Sequence, residues 1–376
     1  PRVQAARTAQ AAKARLRVGF VSCDLRRHSM QHFLLPALAH LDDSRIELFL
    51  YSATGKSDAV TAQYRALAAK FTSLEGIGDA EAAAMIAADG IDILVDASGH
   101  TAGNRLGVFA RKPAPVQATW LAYGTTTGVA AIDWFLGDAR LVPPGGERHF
   151  VERVWRLASA YCYAPPEGMP GVAPLPATKN GAVTFGCFSR TIRLNDRTLA
   201  AWGRILASLP ESRLKLDSLP FVDEATRTDF ARRLCRFGAR EDQLEIGYTT
   251  PQAAVWDAYD RIDIALDPFP HNAGATTFEA LWLGVPVVSK RDRIPLGRFG
   301  DSILNAAGLG DWVADDVPGY VARAVAAASD IAALAALRAS LRVRLSASKL
   351  GDAPAFGAAL SAAFHGMWQM ATPEKP

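Results

Sequence analysis

Runs rich in β-branched and aromatic residues alternate with helix-period segments along this chain, and the alternation restarts after a stretch dense in proline and glycine. That pattern constrains the fold more than any other feature, because alternating strands and helices form βαβ units on a parallel sheet. Before the stretch the strand signals are Leu16 to Ser22, Ile46 to Tyr51, Ile93 to Asp96, Val116 to Leu121, Trp134 to Leu136 and Val154 to Leu157. Helical signals lie at Phe33 to Leu41 and Asp79 to Asp89. The stretch itself, Tyr163 to Lys179, has the composition of a linker. After it, strand signals at Val183 to Cys187, Arg213 to Asp217, Ile262 to Leu266 and Val285 to Ser289 interleave with helical ones at Asp196 to Ala207, Ala225 to Phe237 and Thr277 to Leu283. Ala322 to Ala347 and Phe356 to Met370 read as further helix. Two Rossmann-like, doubly wound α/β halves are therefore expected, with ligands in a cleft at the carboxyl ends of their strands.

A length of 376 residues suits two or three domains. With 49% hydrophobic and 21% charged residues and a net charge of +3, the chain is neither disordered throughout nor a strongly basic nucleic-acid coat. Four scattered cysteines form no CxxC pair or disulfide framework, so a reducing, cytoplasmic setting is expected. No secretory h-region or membrane-spanning apolar run appears. The polar, Met-less start reads as the end of a helix belonging to something upstream. The expected segments are a tail over 1–15, a first half over 16–170, a second half over 171–355 and a last helix with its tail over 356–376.

Five strand-end loops could carry chemistry. In Asp267-Pro-Phe-Pro-His-Asn-Ala-Gly-Ala-Thr-Thr-Phe-Glu-Ala-Leu-Trp282, Thr276 and Thr277 open a helix whose free amides suit an anion. Thr276-Thr-Phe-Glu279 equally fits a capping box, which needs no ligand. In Phe188-Ser-Arg-Thr-Ile-Arg193, Arg190 and Arg193 can fork onto phosphate oxygens, or simply be solvated. In Asp24-Leu-Arg-Arg-His28, an aspartate can orient a histidine for proton transfer. His28 and His32 have the i, i+4 spacing of helical zinc ligands, but the glutamate of H-E-x-x-H is missing and no metal site is expected. Ser98-Gly-His100-Thr-Ala-Gly-Asn-Arg105 and Trp120-Leu-Ala-Tyr-Gly-Thr-Thr-Thr-Gly128 are hydroxyl-rich turns that a sugar or phosphate could use.

In this order the loops resemble the catalytic region of the O-GlcNAc transferase and SPINDLY family, glycosyltransferase family 41, in its bacterial form. The matching stretches are Gly19-Phe-Val-Ser-Cys-Asp with His28 and His32, Asp92-Ile-Leu-Val-Asp-Ala-Ser-Gly-His-Thr-Ala-Gly-Asn-Arg, Phe109-Ala-Arg-Lys-Pro-Ala-Pro-Val-Gln117, Thr119-Trp-Leu121, Phe185-Gly-Cys-Phe, Asp263-Ile-Ala-Leu-Asp-Pro-Phe-Pro and Glu279-Ala-Leu-Trp-Leu-Gly-Val-Pro-Val-Val288. The resemblance implies a GT-B fold whose last helix crosses back to the first half. It implies inverting sugar transfer, from a nucleotide sugar, UDP-GlcNAc by family default, to Ser or Thr of acceptor proteins, without a metal or other cofactor. It also implies an upstream tetratricopeptide domain that selects the acceptor. No nucleic-acid partner is expected.

Carried onto this sequence, the family's phosphate-contacting lysine falls on Arg193 and a glutamine of that loop on Arg190. The ribose-holding carboxylate falls on Glu279, the diphosphate-binding hydroxyl pair on Ala275 and Thr276, and the catalytic-region histidine on His28. Asn272, Thr277, His100, His32, Tyr123 and Thr125 join the donor-side candidates, and Asp24 is the partner of His28. Several positions depart from the pattern. Ala275 lacks a hydroxyl, the sugar-side loop reads Ala122-Tyr-Gly-Thr-Thr126, and Val255 in Pro251-Gln-Ala-Ala-Val-Trp256 replaces a histidine that approaches the base. Such changes leave room for a CMP-linked acidic nonulosonic sugar placed on flagellin, with Arg190 meeting its carboxylate. A nucleotide-sugar 2-epimerase and a catalytically inactive binding module are the rivals from other classes.

Overall fold

A computed structural model describes residues 15–121, 123–250 and 255–371. Residues 1–14 of the expected N-terminal helical tail, Ala122, Pro251 to Ala254 and the last five residues lie outside the described residues.

The chain forms two compact units, one running through Ala164 and resuming at Gly351, the other spanning Pro165–Leu350. The first contains β1 (Leu16–Ser22), α1 (Gln31–Ala39), β2 (Ile46–Ser52), α2 (Ala59–Leu67), β3 (Lys70–Ser73), α3 (Asp79–Ala88), β4 (Ile93–Asp96), α4 (Leu106–Phe109), β5 (Val116–Thr119), β6 (Trp134–Gly137) and β7 (Arg153–Arg156). Its seven strands form one sheet in the order β3-β2-β1-β4-β5-β6-β7, with every paired neighbour parallel. In β1 only Arg17 of Leu16-Arg-Val-Gly-Phe-Val-Ser22 is exposed, as befits a strand covered on both faces.

The second unit contains α5 (Ala177–Asn180), β8 (Thr184–Cys187), α6 (Asp196–Ser208), β9 (Arg213–Asp217), α7 (Glu224–Arg236), β10 (Leu244–Gly247), β11 (Ile264–Leu266), α8 (Ala275–Trp282), β12 (Val287–Lys290), α9 (Phe299–Ala306), β13 (Val313–Ala314), α10 (Val317–Ala328) and α11 (Ile331–Ala347). Its six-stranded sheet has the order β10-β9-β8-β11-β12-β13, again parallel throughout. The single helical region read from Ala322 to Ala347 is two helices meeting at 96°, because Asp330 ends one run and caps the next at the Ala333 amide (2.9 Å). No single helix among the described residues is long and apolar enough to cross a membrane.

The last helix, α12 (Ala353–Ala371), belongs to the first unit, as the crossing-back expectation requires. Its Phe356, Leu360, Phe364, Met367 and Trp368 enter the core with Phe20, Leu34 and Trp120. The Pro/Gly stretch is tied down rather than free. Arg338 donates to the Ala173 carbonyl (2.7 Å), Arg342 to that of Pro170, and Asp263 accepts from the Ala177 amide (2.8 Å). Segment 165–176 makes no sheet ladder, so these arginines satisfy carbonyls that would otherwise lack partners. The division consequently falls at 164/165 and 350/351, a few residues before the positions read from the sequence.

In both sheets the chain runs outward for three strands and returns on the other side of the first. The reversal lies between β1 and β4 in one unit and between β8 and β11 in the other. Loops leaving those four strands are where an open α/β sheet binds ligands.

Candidate functional site

In the second unit, the loops after β8 and β11 border an open pocket lined by Cys187, Phe188, Ser189, Tyr259, Asp267 and the start of α8 at Thr276 and Thr277. The helix begins at Ala275 with Gly274 as its N-cap and no side chain capping it. This overturns the capping-box reading: Thr276 already lies inside the helix, and the Glu279 carboxylate accepts from the Tyr259 hydroxyl (3.1 Å) instead of turning back. Thr277 Oγ1 donates backward to the Ala273 carbonyl (3.4 Å). The first amides of α8 are left pointing out of the helix with the positive end of its dipole, an arrangement that suits phosphate.

Asp267 shapes this loop. Its buried carboxylate accepts the Ala273 amide (2.7 Å) and the Ser289 hydroxyl (2.5 Å). Burial pushes its pKa up to about 7, against the pull of those donors and of Arg193. Arg193 ends a short 3-10 turn, Thr191–Arg193, behind β8. Its field is felt on both sides of the pocket, because burial and then Arg193 push His271 down to about 4. Arg190, in contrast, is exposed and has no partner among the described residues. Asn272, expected on the donor side, is fully buried, and its amide laces the loop to the carbonyls of Pro268 (2.9 Å) and Lys290 (3.4 Å). It builds the loop and does not line the pocket. Burial also raises the Glu279 carboxyl to about 7, opposed by the Tyr259 hydrogen bond.

The Asp267 shift has a sign for stability. Its folded pKa lies above the ordinary aspartate value, so its contribution is fully present below about pH 4 and is lost as pH rises through about 7. Denaturant unfolding across that window is expected to show a loss on the order of 4 kcal/mol that Asp267→Asn flattens. An unchanged slope in the variant contradicts this.

In the first unit the loops after β1, β4 and β5 are drawn together. The Cys23 amide donates to Ser98 Oγ (3.1 Å), and buried Asp96 accepts the amides of Ser98 (3.1 Å) and Gly99 (3.0 Å) and the Thr119 hydroxyl (2.9 Å). Gly99 has φ +53°, and a Cβ there would stand 2.8 Å from that of Tyr123, so glycine is required. His100 Nε2 lies 3.1 Å from the Thr126 carbonyl, and its ring meets the edge of Tyr123 at 5.5 Å. Thr126 and Thr127 are anchored on buried Glu152 by their hydroxyls and the Thr127 amide (2.7 Å). Beside them Thr125 is partly exposed. Leu121 has φ +84°, a strained conformation for a branched residue.

Asp24 is buried, with His28 Nδ1 3.5 Å and Arg26 3.5 Å from its two oxygens. The same Nδ1 lies 3.3 Å from the Met30 amide. These partners select opposite tautomers: Met30 needs a lone pair on Nδ1, whereas Asp24 needs a proton there and frees Nε2 to act as a base. Burial lowers the His28 pKa, with Asp24 opposing and Arg26 assisting, which favours the neutral ring. His28 precedes α1 whereas His32 lies within it, so the two do not share a helical face. His32 instead holds the end of the unit, accepting the Ala164 amide at its carbonyl (2.8 Å) with its ring against Tyr163.

The sequence model of Glycosyl transferase family 41 matches residues 2–164 and 175–360. The chain belongs to glycosyltransferase family 41. A family member from Arabidopsis thaliana, named probable UDP-N-acetylglucosamine--peptide N-acetylglucosaminyltransferase SPINDLY, is 36% identical over 94% of this chain and 39% of its own length. The chain thus spans well under half of that relative. A solved point mutant of Thermobaculum terrenum O-GlcNAc transferase is 38% identical, covering 96% of this chain and 69% of that one at a TM-score of 0.91. Sucrose-phosphate synthase from Thermosynechococcus elongatus, 11% identical over 95% of this chain and 100% of its own, has a TM-score of 0.59 and shares the fold alone. The two parallel-sheet units are accordingly of the GT-B type of family 41.

Of the residues singled out in strand-end loops, Thr276 and Thr277 line the pocket of the second unit and Arg193 stands on the loop after β8, whereas Asp24, His28 and His100 stand on loops of the first unit. The same reading does not single out Tyr259 and Phe188, whose aromatic character is the available signal, nor Asp96, Asp267 and His271, which stand in the quoted stretches, nor Glu152, which lies outside all of them.

Proposed function

We propose that this chain is the catalytic region of a protein O-glycosyltransferase that moves a sugar from a nucleotide-sugar donor to a Ser or Thr hydroxyl of an acceptor protein, with inversion and without a metal. The observation that carries this reading is the uncapped start of α8 beside Arg193, a preorganised seat for a diphosphate. In the transfer step the acceptor oxygen bonds to the anomeric carbon, the bond from that carbon to the phosphate oxygen breaks, and its electron pair stays on the leaving phosphate. Arg193 and the α8 amides stabilise that charge, and the acceptor proton passes to His28, which Asp24 orients, or to water. His28→Ala is expected to slow turnover at least about tenfold; a rate within a few-fold of the unaltered chain removes the role.

A second reading rests on exposed, unpartnered Arg190, a fork available to the carboxylate of an acidic nonulosonic sugar carried on CMP, with flagellin as acceptor. The test is incubation with UDP-N-acetylglucosamine or a CMP-nonulosonate and a Ser/Thr-rich protein or flagellin, followed by intact-mass measurement. A sugar-mass increment on the protein supports transfer, and the donor that gives it separates the two readings. Donor conversion without an acceptor points to an epimerase. Binding without consumption points to an inactive module.

A further inference from the structure

Helix α2 stands beside the loop that carries His28. Its N-cap, Asp58, accepts the Val60 and Thr61 amides on one oxygen (2.9 and 3.0 Å) and the Arg27 amide on the other (2.8 Å), so the residue that starts the helix also pins the loop. Further along the same helix Tyr64 is fully buried, and its hydroxyl has no hydrogen-bond partner among the described residues. Burial, and after it the charge of Asp24, hold that hydroxyl protonated, well above the ordinary tyrosine range, so it is a donor placed in the field of the Asp24 carboxylate. Arg26 Nε is a second buried donor without a partner. Asp24 is itself buried, and the contacts of its oxygens to Arg26 and to His28 Nδ1 are both 3.5 Å long. A carboxylate can accept about four hydrogen bonds, whereas a buried donor left unpaired is costly, so the tyrosine and the aspartate answer each other's need. The His28 ring stands between two partners that want opposite tautomers, the Met30 amide at 3.3 Å and Asp24. A donor on the carboxylate keeps it ionised and fixed in orientation, which favours the proton on Nδ1. Without that donor the carboxylate turns to Arg26 and the ring offers its lone pair to Met30.

We infer that Tyr64 is a positioning residue whose hydroxyl donates to Asp24 and thereby holds His28 as the Nδ1–H tautomer, with Nε2 bare and available to take a proton. The inference rests on the reading of His28 as the proton-handling group, and it assigns Tyr64 no contact with substrate.

Nitrogen-15 NMR of the full chain labelled at histidine, recorded at about pH 9 where an ordinary histidine is neutral, reads the tautomer, and the signals lost in His28→Gln identify the ring. The unaltered chain is expected to hold Nδ1–H over Nε2–H by about tenfold, the worth of one buried hydrogen bond. Tyr64→Phe keeps the aromatic ring and is expected to reduce that ratio about tenfold, to lower kcat for sugar transfer at least about fivefold with KM within twofold, and to lower the unfolding midpoint. Asp24→Asn is expected to shift the tautomer in the same direction, with Tyr64→Phe adding nothing in that background. An Nε2–H ring in the unaltered chain or an unmoved tautomer in Tyr64→Phe overturns the inference. So does a raised unfolding midpoint, the result of deleting a hydroxyl that bonds to nothing. A shifted tautomer with Tyr64→Phe and His28→Gln both turning over at the unaltered rate supports the positioning of the ring and removes the proton-handling reading of His28.

Discussion

Replacing Arg193 with methionine is expected to cut sugar transfer by about 10²–10³-fold while leaving the chain folded. Removal of one preorganised donor from a site where charge develops has that size of effect. Arg193 stands on the loop after β8, and its field reaches Asp267 on one side and His271 on the other, across the start of α8. Its loss removes a cation that holds both pKa values down, so His271 rises toward the ordinary histidine range and Asp267 moves further up. The partly exposed side chain fills no core position, so the unfolding midpoint should move little. Intact-mass turnover beside thermal unfolding reads the two effects separately. Arg193→Lys sharpens the test, because the family resemblance places a lysine here. If charge alone matters, lysine restores most of the rate; if the planar two-pronged fork matters, it does not. Methionine turnover within a few-fold of the unaltered chain removes Arg193 from the leaving-group role.

The parts of the fold that are legible in the sequence are those where burial is two-sided. β1 and β4 are near-continuous apolar runs because helices cover both faces, whereas β9, Arg-Leu-Lys-Leu-Asp, alternates, and its strand signal at Arg213–Asp217 coincides with the element to the residue. The strands without a legible signal, β3, β10 and β13, lie at sheet edges. Lys70-Phe-Thr-Ser73 and Leu244-Glu-Ile-Gly247 are mostly half-exposed, so their sequences carry neither a long apolar run nor clean alternation. α2 and α9 escape the periodicity reading as well. α2 is set by a capping box in which Asp58 accepts the Val60 and Thr61 amides, a signal that the α8 loop imitates without using and that operates here.

The candidate site divides the same way. Residues placed by topology are legible, because a polar loop after a buried strand is visible in one dimension. Residues placed by folding are not. Tyr259 reaches Glu279 across 20 positions and precedes its strand. Asn272 misleads in the opposite direction: it sits in the most informative loop, but its amide nitrogen is spent on the carbonyls of Pro268 in that loop and Lys290 at the end of β12. A polar side chain between two prolines and a glycine is as useful for building a turn as for binding, and only the contacts distinguish the two.

The second large effect concerns α12. Phe364 is fully buried and meets Phe20 edge-on at 6.1 Å, so Phe364→Ala should cost about 3–5 kcal/mol, since a cavity replaces the ring. Its core neighbours all belong to the first unit, so the loss should appear in that unit's unfolding while the second unit's transition stays in place. Gly357 provides a test with the opposite prior. In a solvated helix, glycine to alanine gains about 1 kcal/mol. Here the new Cβ would stand 2.2 Å from the His40 carbonyl oxygen and 2.5 Å from its carbon, and backbone cannot yield as a side-chain tip does. Gly357→Ala must therefore push α12 away from the end of α1 and destabilise the first unit by about 1–3 kcal/mol. A stabilising result would mean that α12 does not dock on the first unit, and the assignment of residues 351–371 to that unit would fall with it.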